Sequence, residues 1–286
     1  MFSKKRIKVE ISLLSESFVP QATLEFEDMP IDAQISYVGF PSAPKAKIKI
    51  YGVSKERMDE ITTIQLFTPF IQNRRLKLFI DEGNGYQVLF DGGIVNAFPQ
   101  YNSAPDVYIQ IESSALWYQN FENLPPFESS GAMSVFDVVN GICKQFGLKA
   151  ENCLKNNIPA KHSTYNQNGA RERLYAVEKE YGIKLIFLTN NTVRVFDKEN
   201  AKIYSNYELT PDDYVGYPSF NNSGVEVTLD RMIDIECWDT FTIADSYVGF
   251  ANTTWRCYKK TYNVQSYANN PRWEMKILGV YNVIEE

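Results

Sequence analysis

The chain has 286 residues, a formal net charge of −6 and 44% hydrophobic residues, enough apolar material for two or three domains or for one large all-β domain. An acidic balance with a pI near 5.1 argues against sequence-specific or general nucleic-acid binding, which needs a concentrated basic surface. No apolar run is long enough to span a membrane and the start, M-F-S-K-K-R-I-K, lacks the apolar core of a signal peptide, so a soluble protein made in the cytoplasm is expected, with no membrane insertion.

Aromatic residues make up 14% of the chain, and rings favour strands because they cover a pleated surface with few rotatable bonds. In chain order, Ile7, Val9, Ile11 and Leu13 alternate with polar residues and predict a first strand. Val19 to Tyr51 reads as short β pieces broken by Pro20, Pro30, Pro41 and Pro44, ending in a strand with Ala46, Ile48 and Ile50 inward and three lysines outward. Ser54 caps a short helix with Met58 and Ile61 inward. Leu76, Leu78 and Ile80 then alternate, D-E-G-N-G turns the chain into Tyr86–Phe90, and strands follow at Gly93–Phe98 and over Val107, Ile109 and Ile111.

Leu124 to Gly131 is rich in turn residues and predicts a linker. Ser134 and Asp137 form a capping-box pattern ahead of Val135, Val138, Val139, Ile142 and Phe146 at helical spacing, with Gly147 as the stop. A second helix is expected over Ala170–Tyr181, with Leu174, Val177 and Tyr181 on one face and Gly182 as the stop, followed by a hairpin around Asn190 and Asn191. From Tyr214 the pattern returns to strands: Val225–Leu229, then Ile233, Ile235 and Cys237, then the aromatic run Trp255–Val264, then Trp273, Met275 and Ile277. The expected fold class is α+β, mainly β: two tube-like β-barrel or sandwich domains, residues 1–123 and 211–286, flank a linker and small α+β module at 124–210.

Chemistry is sparse. His162 is the one histidine, it lies in a polar loop, and no G-x-S-x-G context exists for a nucleophile. The carboxylates are too many to exclude a two-carboxylate glycosidase, but Asp212 and Asp213 read as a turn and Glu178 and Glu180 as a charged helix face. Cys143, Cys153, Cys237 and Cys257 hold no C-x-x-C pair, so no metal site is expected; buried free thiols are favoured, with Cys237 and Cys257 as potential neighbours. The turn at G83-N-G lacks the partners of a phosphate loop, and no cofactor signature is present, so neither catalytic residues nor cofactors are assigned. W-R-C-Y-K-K-T-Y suits a two-faced strand better than a stacking platform for single-stranded nucleic acid.

The segment A-K-I-K-I-Y-G-V-S-K-E-R-M-D-E-I, followed by F-D-G-G-I-V-N-A, resembles the central hub proteins of phage tail baseplates (the late control protein D-like family), which resemble the front part of type VI secretion spike proteins. Ser134–Leu148, the Tyr165, Gln167, Gly169 and Gly182 positions, and the closing Trp273-Glu-Met-Lys-Ile-Leu-Gly fit the same order of pieces. The resemblance implies a structural, non-enzymatic homotrimer whose paired tube-like domains make a pseudo-sixfold ring between a hexameric tail tube and a trimeric central spike. It implies tail tube and spike proteins as partners, with the tape measure protein and other baseplate proteins beyond them, and a place in the virion tail after assembly in the host cytoplasm. Alternatives are a hub with cell-wall lytic activity and a receptor- or carbohydrate-binding baseplate protein. A ring needs aromatic-rich contacts between subunits, and Tyr37, Phe40, Phe98, Tyr101, Trp255 and Tyr258 are the candidate interface residues.

Overall fold

The computed structural model describes residues 5–14, 20–39, 41–62, 74–102, 104–117, 119–120, 124–130, 132–189, 191–197, 206–268 and 271–281. Among the described residues half are strand and three α-helices are present, which is the mainly-β α+β class expected from the alternating sequence. Contacts divide the chain into two compact units. The first comprises Met1–Ser36, Pro44–Tyr118 and Thr261–Met275, and the second Tyr37–Ala43, Gln119–Lys260 and Lys276–Glu286.

The first unit is built from β1 (Arg6–Leu14), β2 (Pro20–Phe26), β3 (Ile31–Val38), β4 (Lys45–Tyr51), α1 (Lys55–Ile61), β5 (Arg74–Asp81), β6 (Gln87–Gln100) and β7 (Tyr108–Ser114). The inner parts of two late strands, β17 (Thr254–Ser266) and β18 (Trp273–Tyr281), complete it. The strands stand in the order β18-β17-β3-β4-β7-β6-β5-β1-β2. Register keeps apolar residues on one face: Ile7, Val9 and Ile11 lie opposite Ile80, Leu78 and Leu76, and Ile48 and Ile50 opposite Ile111 and Ile109. All of these are buried, so the period-2 pattern alone selected the core. Met58 and Ile61 of α1 join them, beneath an N-cap in which Ser54 accepts from the Arg57 amide.

The row curls back on itself. Trp273 donates from Nε1 to Glu82 at 2.7 Å, Lys5 lies 5.3 Å from the Trp273 ring, and Tyr267 donates to Asp28 at 2.6 Å. Curling of this kind needs irregular pairing, and β6 shows it: register shifts occur opposite Leu78/Phe79 and between Ile94 and Asn96. The sequence suggested two strands here, ended by Pro99, whereas a single strand runs from Gln87 to Gln100. Pro99 is tolerated because β6 pairs with β5 only as far as Gly93, so that among the described residues its distal half has one strand neighbour and needs no second ladder donor.

The β5–β6 turn is organised by Asp81, whose Oδ1 accepts from the Gly83 and Gly85 amides at 2.7 and 2.9 Å. Hydrogen bonding from Arg6, then from these amides, holds the Asp81 carboxyl below its ordinary value of 3.8. A depressed folded-state pKa contributes stability above the unfolded value and loses it as pH falls through the folded one. The thermal midpoint of the wild type is expected to drop on acidification below about pH 4. Melting curves of Asp81→Asn should lie lower at neutral pH and change less over that acidic range.

The second unit begins with β8 (Phe127–Ser129), α2 (Val135–Gln145), β9 (Lys149–Cys153), β10 (Ser163–Tyr165), α3 (Ala170–Tyr181), β11 (Ile183–Phe187) and β12 (Thr192–Asp197). The capping box is complete, Ser134 Oγ accepting from the Asp137 amide and the Asp137 carboxylate from the Ser134 amide. Gly147 and Gly182 end the two helices at φ of 66°, a left-handed value that favours glycine. β9 pairs parallel to β12, and β12 antiparallel to β11, under the packed pair α2 and α3.

The same unit continues with β13 (Asn206–Leu209), β14 (Ser219–Asn221), β15 (Gly224–Leu229) and β16 (Thr240–Ile243), joined to the outer parts of β17 and β18. The strand expected over Ile233, Ile235 and Cys237 is absent; that segment is unpaired and ends in a turn, and pairing resumes at β16. Its carbonyl groups are used otherwise: Ile235 O accepts from the Lys260 ammonium and Asp234 O from the Tyr207 hydroxyl. β17 and β18 each give residues to both contact units.

Gly224 marks a close approach. At φ of 148° its Cβ position lies 1.9 Å from Gly279 O. Gly224→Ala is expected to destabilise by at least about 2 kcal/mol through overpacking and strain. Amide hydrogen exchange should locate the loosening at β14 and β15.

Candidate interaction surface

Three cations, Arg173, Lys260 and Arg194, are committed to the scaffold. The Arg173 side chain, 1% exposed, donates to Gln167 O, Pro125 O, Leu124 O and Gln145 Oε1 at 2.6–2.9 Å and lies over the Phe146 ring. Lys260, also 1% exposed, donates to Thr189 Oγ1, Ile235 O and Glu236 Oε2 and sits 5.0 Å from the Tyr37 ring centroid. Arg194 bridges Glu151 and Asp239.

Of the four carboxylates considered for catalysis, Asp213, Glu178 and Glu180 are likewise engaged, and Asp212 is exposed. Asp213 accepts from the Thr210 amide and hydroxyl and pairs with Arg231, Glu180 accepts from Ser163 and Tyr165, and His162 is exposed in its loop. Glu178 is not on an open charged face as the helix pattern suggested: it is buried, because Lys184 of β11 folds over it at 2.7 Å. Among the described residues no three His, Cys, Asp or Glu side chains are grouped to hold a metal.

What the second unit does present is an aromatic surface. The loop between β16 and β17 is drawn tight at its neck: the Ser246 amide donates to Asn252 Oδ1 at 2.8 Å and Asn252 Nδ2 returns to Ser246 O at 3.0 Å. The Val248 amide donates to Ser246 Oγ, and Trp255 Nε1 donates to Ala251 O at 2.9 Å. A 3-10 turn, Gly249–Ala251, forms the tip. Tyr247 and Phe250 on this braced tip are 89% and 91% exposed. Tyr217 lies 5.8 Å from Tyr247, and Phe220 and Tyr281 lean on the buried Trp255 at 6.1 and 5.8 Å. Rings held on a rigid loop lose little freedom on docking, which favours affinity.

The six residues selected from sequence fall differently. Trp255 and Tyr37 are buried, at 5% and 2% exposure, so they brace the unit from within and offer almost no surface to a neighbour. Tyr258 in the second unit and Phe98 and Tyr101 in the first are exposed, and Phe40 lies outside the described residues. Tyr217, Phe220, Tyr247, Phe250 and Tyr281 are exposed and were not among the six. The signal for the tip was S-Y-V-G-F, two rings beside a glycine in a stretch with no strand or helix period, where nothing in the local pattern buries them.

The family described as Baseplate hub gp41 matches residues 6–276. The chain belongs to this family. This baseplate hub shares its fold with the tail protein of Neisseria meningitidis MC58 at a TM-score of 0.63 and 9% identity, over 98% of each chain. The prophage MuSo2 tail protein from Shewanella oneidensis gives 0.59 at 10% identity, over 97% of each chain. An Escherichia coli type VI secretion component, described as structurally similar to T4 bacteriophage tail proteins gp27 and gp5, gives 0.60 at 9% identity, over 90% of this chain and 74% of the other. A search of curated proteins found no match. The protein is thus a structural component of a phage tail baseplate, with its place in the virion tail.

Proposed function

We propose that this hub assembles as a homotrimer whose paired tube-like domains form a pseudo-sixfold ring, adapting a hexameric tail tube to a trimeric central spike. The tube-like domains are residues 1–123, completed by 261–275, and the β-rich remainder of 211–286, with the module at 124–210 as the insert between them in sequence. Assembly takes place in the host cytoplasm, and the tube, spike, tape measure and other baseplate proteins are the partners. The observation that carries this reading is the braced aromatic tip, because a structural family member that exposes Tyr247 and Phe250 at 89% and 91% presents surface for contact rather than for chemistry. Phe98, Tyr101 and Tyr258 are further contact candidates.

Light scattering on the purified chain should give the mass of three copies. The double variant Tyr247→Ser/Phe250→Ser should keep a melting temperature within about 2 °C of wild type, since exposed positions carry little folding energy. It should weaken self-association or tube binding by at least about tenfold. A wild-type monomer under assembly conditions would exclude the trimer, and a double variant that assembles normally would move the interface elsewhere.

A further inference from the structure

Cys237 and Cys257 are both free and buried, at 1% and 0% exposure. Residues 236–239 form a turn closed by Asp239 N donating to Glu236 O at 3.1 Å, with Trp238 at φ of 75°, a value that favours glycine. The turn is pinned to β17 through Cys257: Trp238 N donates to Cys257 O at 2.6 Å, and Cys257 N donates to Asp239 O at 2.9 Å. Two residues of the turn, Trp238 and Asp239, therefore oppose Cys257, a bulge whose Trp238–Cys257 hydrogen bond brings the backbone of the adjoining Cys237 alongside Cys257. The neighbouring Cys237 thiol, then burial, pushes the Cys257 thiol well above its ordinary range. Side chains of the same turn anchor its surroundings, Glu236 holding Lys260 and Thr189, and Asp239 holding Arg194.

We propose that Cys237 and Cys257 form a latent disulfide site, oxidised by a peroxide-class oxidant to a cross-link at the base of the loop that carries Tyr247 and Phe250. One thiol loses its proton and its sulfur attacks a peroxide oxygen; the O–O bond breaks, water leaves after protonation, and a sulfenic acid remains. The second sulfur attacks that sulfenic sulfur, its proton goes to the departing hydroxide, and a second water leaves as the S–S bond forms. Hydrogen peroxide is reduced to two waters and the two thiols are oxidised to one disulfide. Because the bridge closes the segment 237–257, it restricts the unfolded chain and fixes the neck of the aromatic loop.

The test uses the full-length chain treated with hydrogen peroxide at pH 8, then unfolded, alkylated and peptide-mapped. Two of the four thiols should be lost, with a peptide linking Cys237 to Cys257 and a mass lower by about two hydrogens. Cys143 of α2 and Cys153 of β9, which lie away from the 236–239 turn in sequence, should be alkylated. The melting temperature should rise by about 5 °C and fall back after dithiothreitol. Cys237→Ser should abolish the linked peptide. A link between other cysteines, a bridge between two chains, oxidation ending at sulfinic acid, or four free thiols after treatment would each overturn the proposal, and all are read on the wild type.

Discussion

Arg173→Ala is expected to lower the melting temperature of the chain by roughly 10 °C, corresponding to about 3–5 kcal/mol. The guanidinium is 1% exposed and satisfies three backbone carbonyls, Leu124, Pro125 and Gln167, and the Gln145 side chain. Truncation strands those acceptors in a dry site and leaves a void against the Phe146 ring. Two of the carbonyls belong to the stretch that leads into β8, so α3 holds that stretch through one side chain. Arg173→Lys should recover only part of the loss, because a single ammonium does not span acceptors that the planar fork reaches from three nitrogens. Loss of less than about 1 kcal/mol in Arg173→Ala would mean that water replaces the guanidinium.

Lys260→Met is expected to destabilise by about 3 kcal/mol, with most of the loss recovered in the double variant Lys260→Met/Glu236→Gln. The ammonium neutralises Glu236 at 2.5 Å and also satisfies Ile235 O and Thr189 Oγ1. Removing the cation alone leaves the Glu236 carboxylate, among the described residues, with the Thr189 amide and hydroxyl as its donors. Removing the charge on both sides leaves amide and thioether groups of similar volume. A double-mutant cycle by chemical denaturation should therefore show a coupling of at least about 1 kcal/mol; strictly additive losses would show that the pair is not a unit.

These two cations also mark where sequence reading stops. Leu76, Leu78 and Ile80, or Ile48 and Ile50, are read correctly as core because a strand has period 2 and one misplaced residue would turn the whole apolar set outward. α2 is legible for the same kind of reason, since its cap, its apolar stripe and its stop all lie within one segment. Arg173 looks like an ordinary exposed helix charge, and its four acceptors come from segments as far as 49 residues away. Lys260 is similar: Trp255 and Cys257 are buried at odd positions, whereas Lys260, Tyr262 and Val264 are buried at even ones, so the inward face of β17 changes phase. No single alternation over Trp255–Val264 foresees that change.

The interface candidates divide along the same line. Trp255 and Tyr37 were chosen as large rings, but whether a ring in a strand faces solvent depends on which residues cover it, and Phe220, Tyr281 and Ala251 cover Trp255. By itself the sequence determined the strand faces, the capped helices, the glycine stops and, through the order of its pieces, the resemblance to baseplate hubs, because each is written in neighbouring residues. Only the tertiary structure decided that β17 and β18 serve two units, that Arg173 and Lys260 lie inside, and that Tyr247 and Phe250 stand out on a braced loop. Burial of a side chain is fixed by partners distant in the chain, and period and propensity carry no record of them.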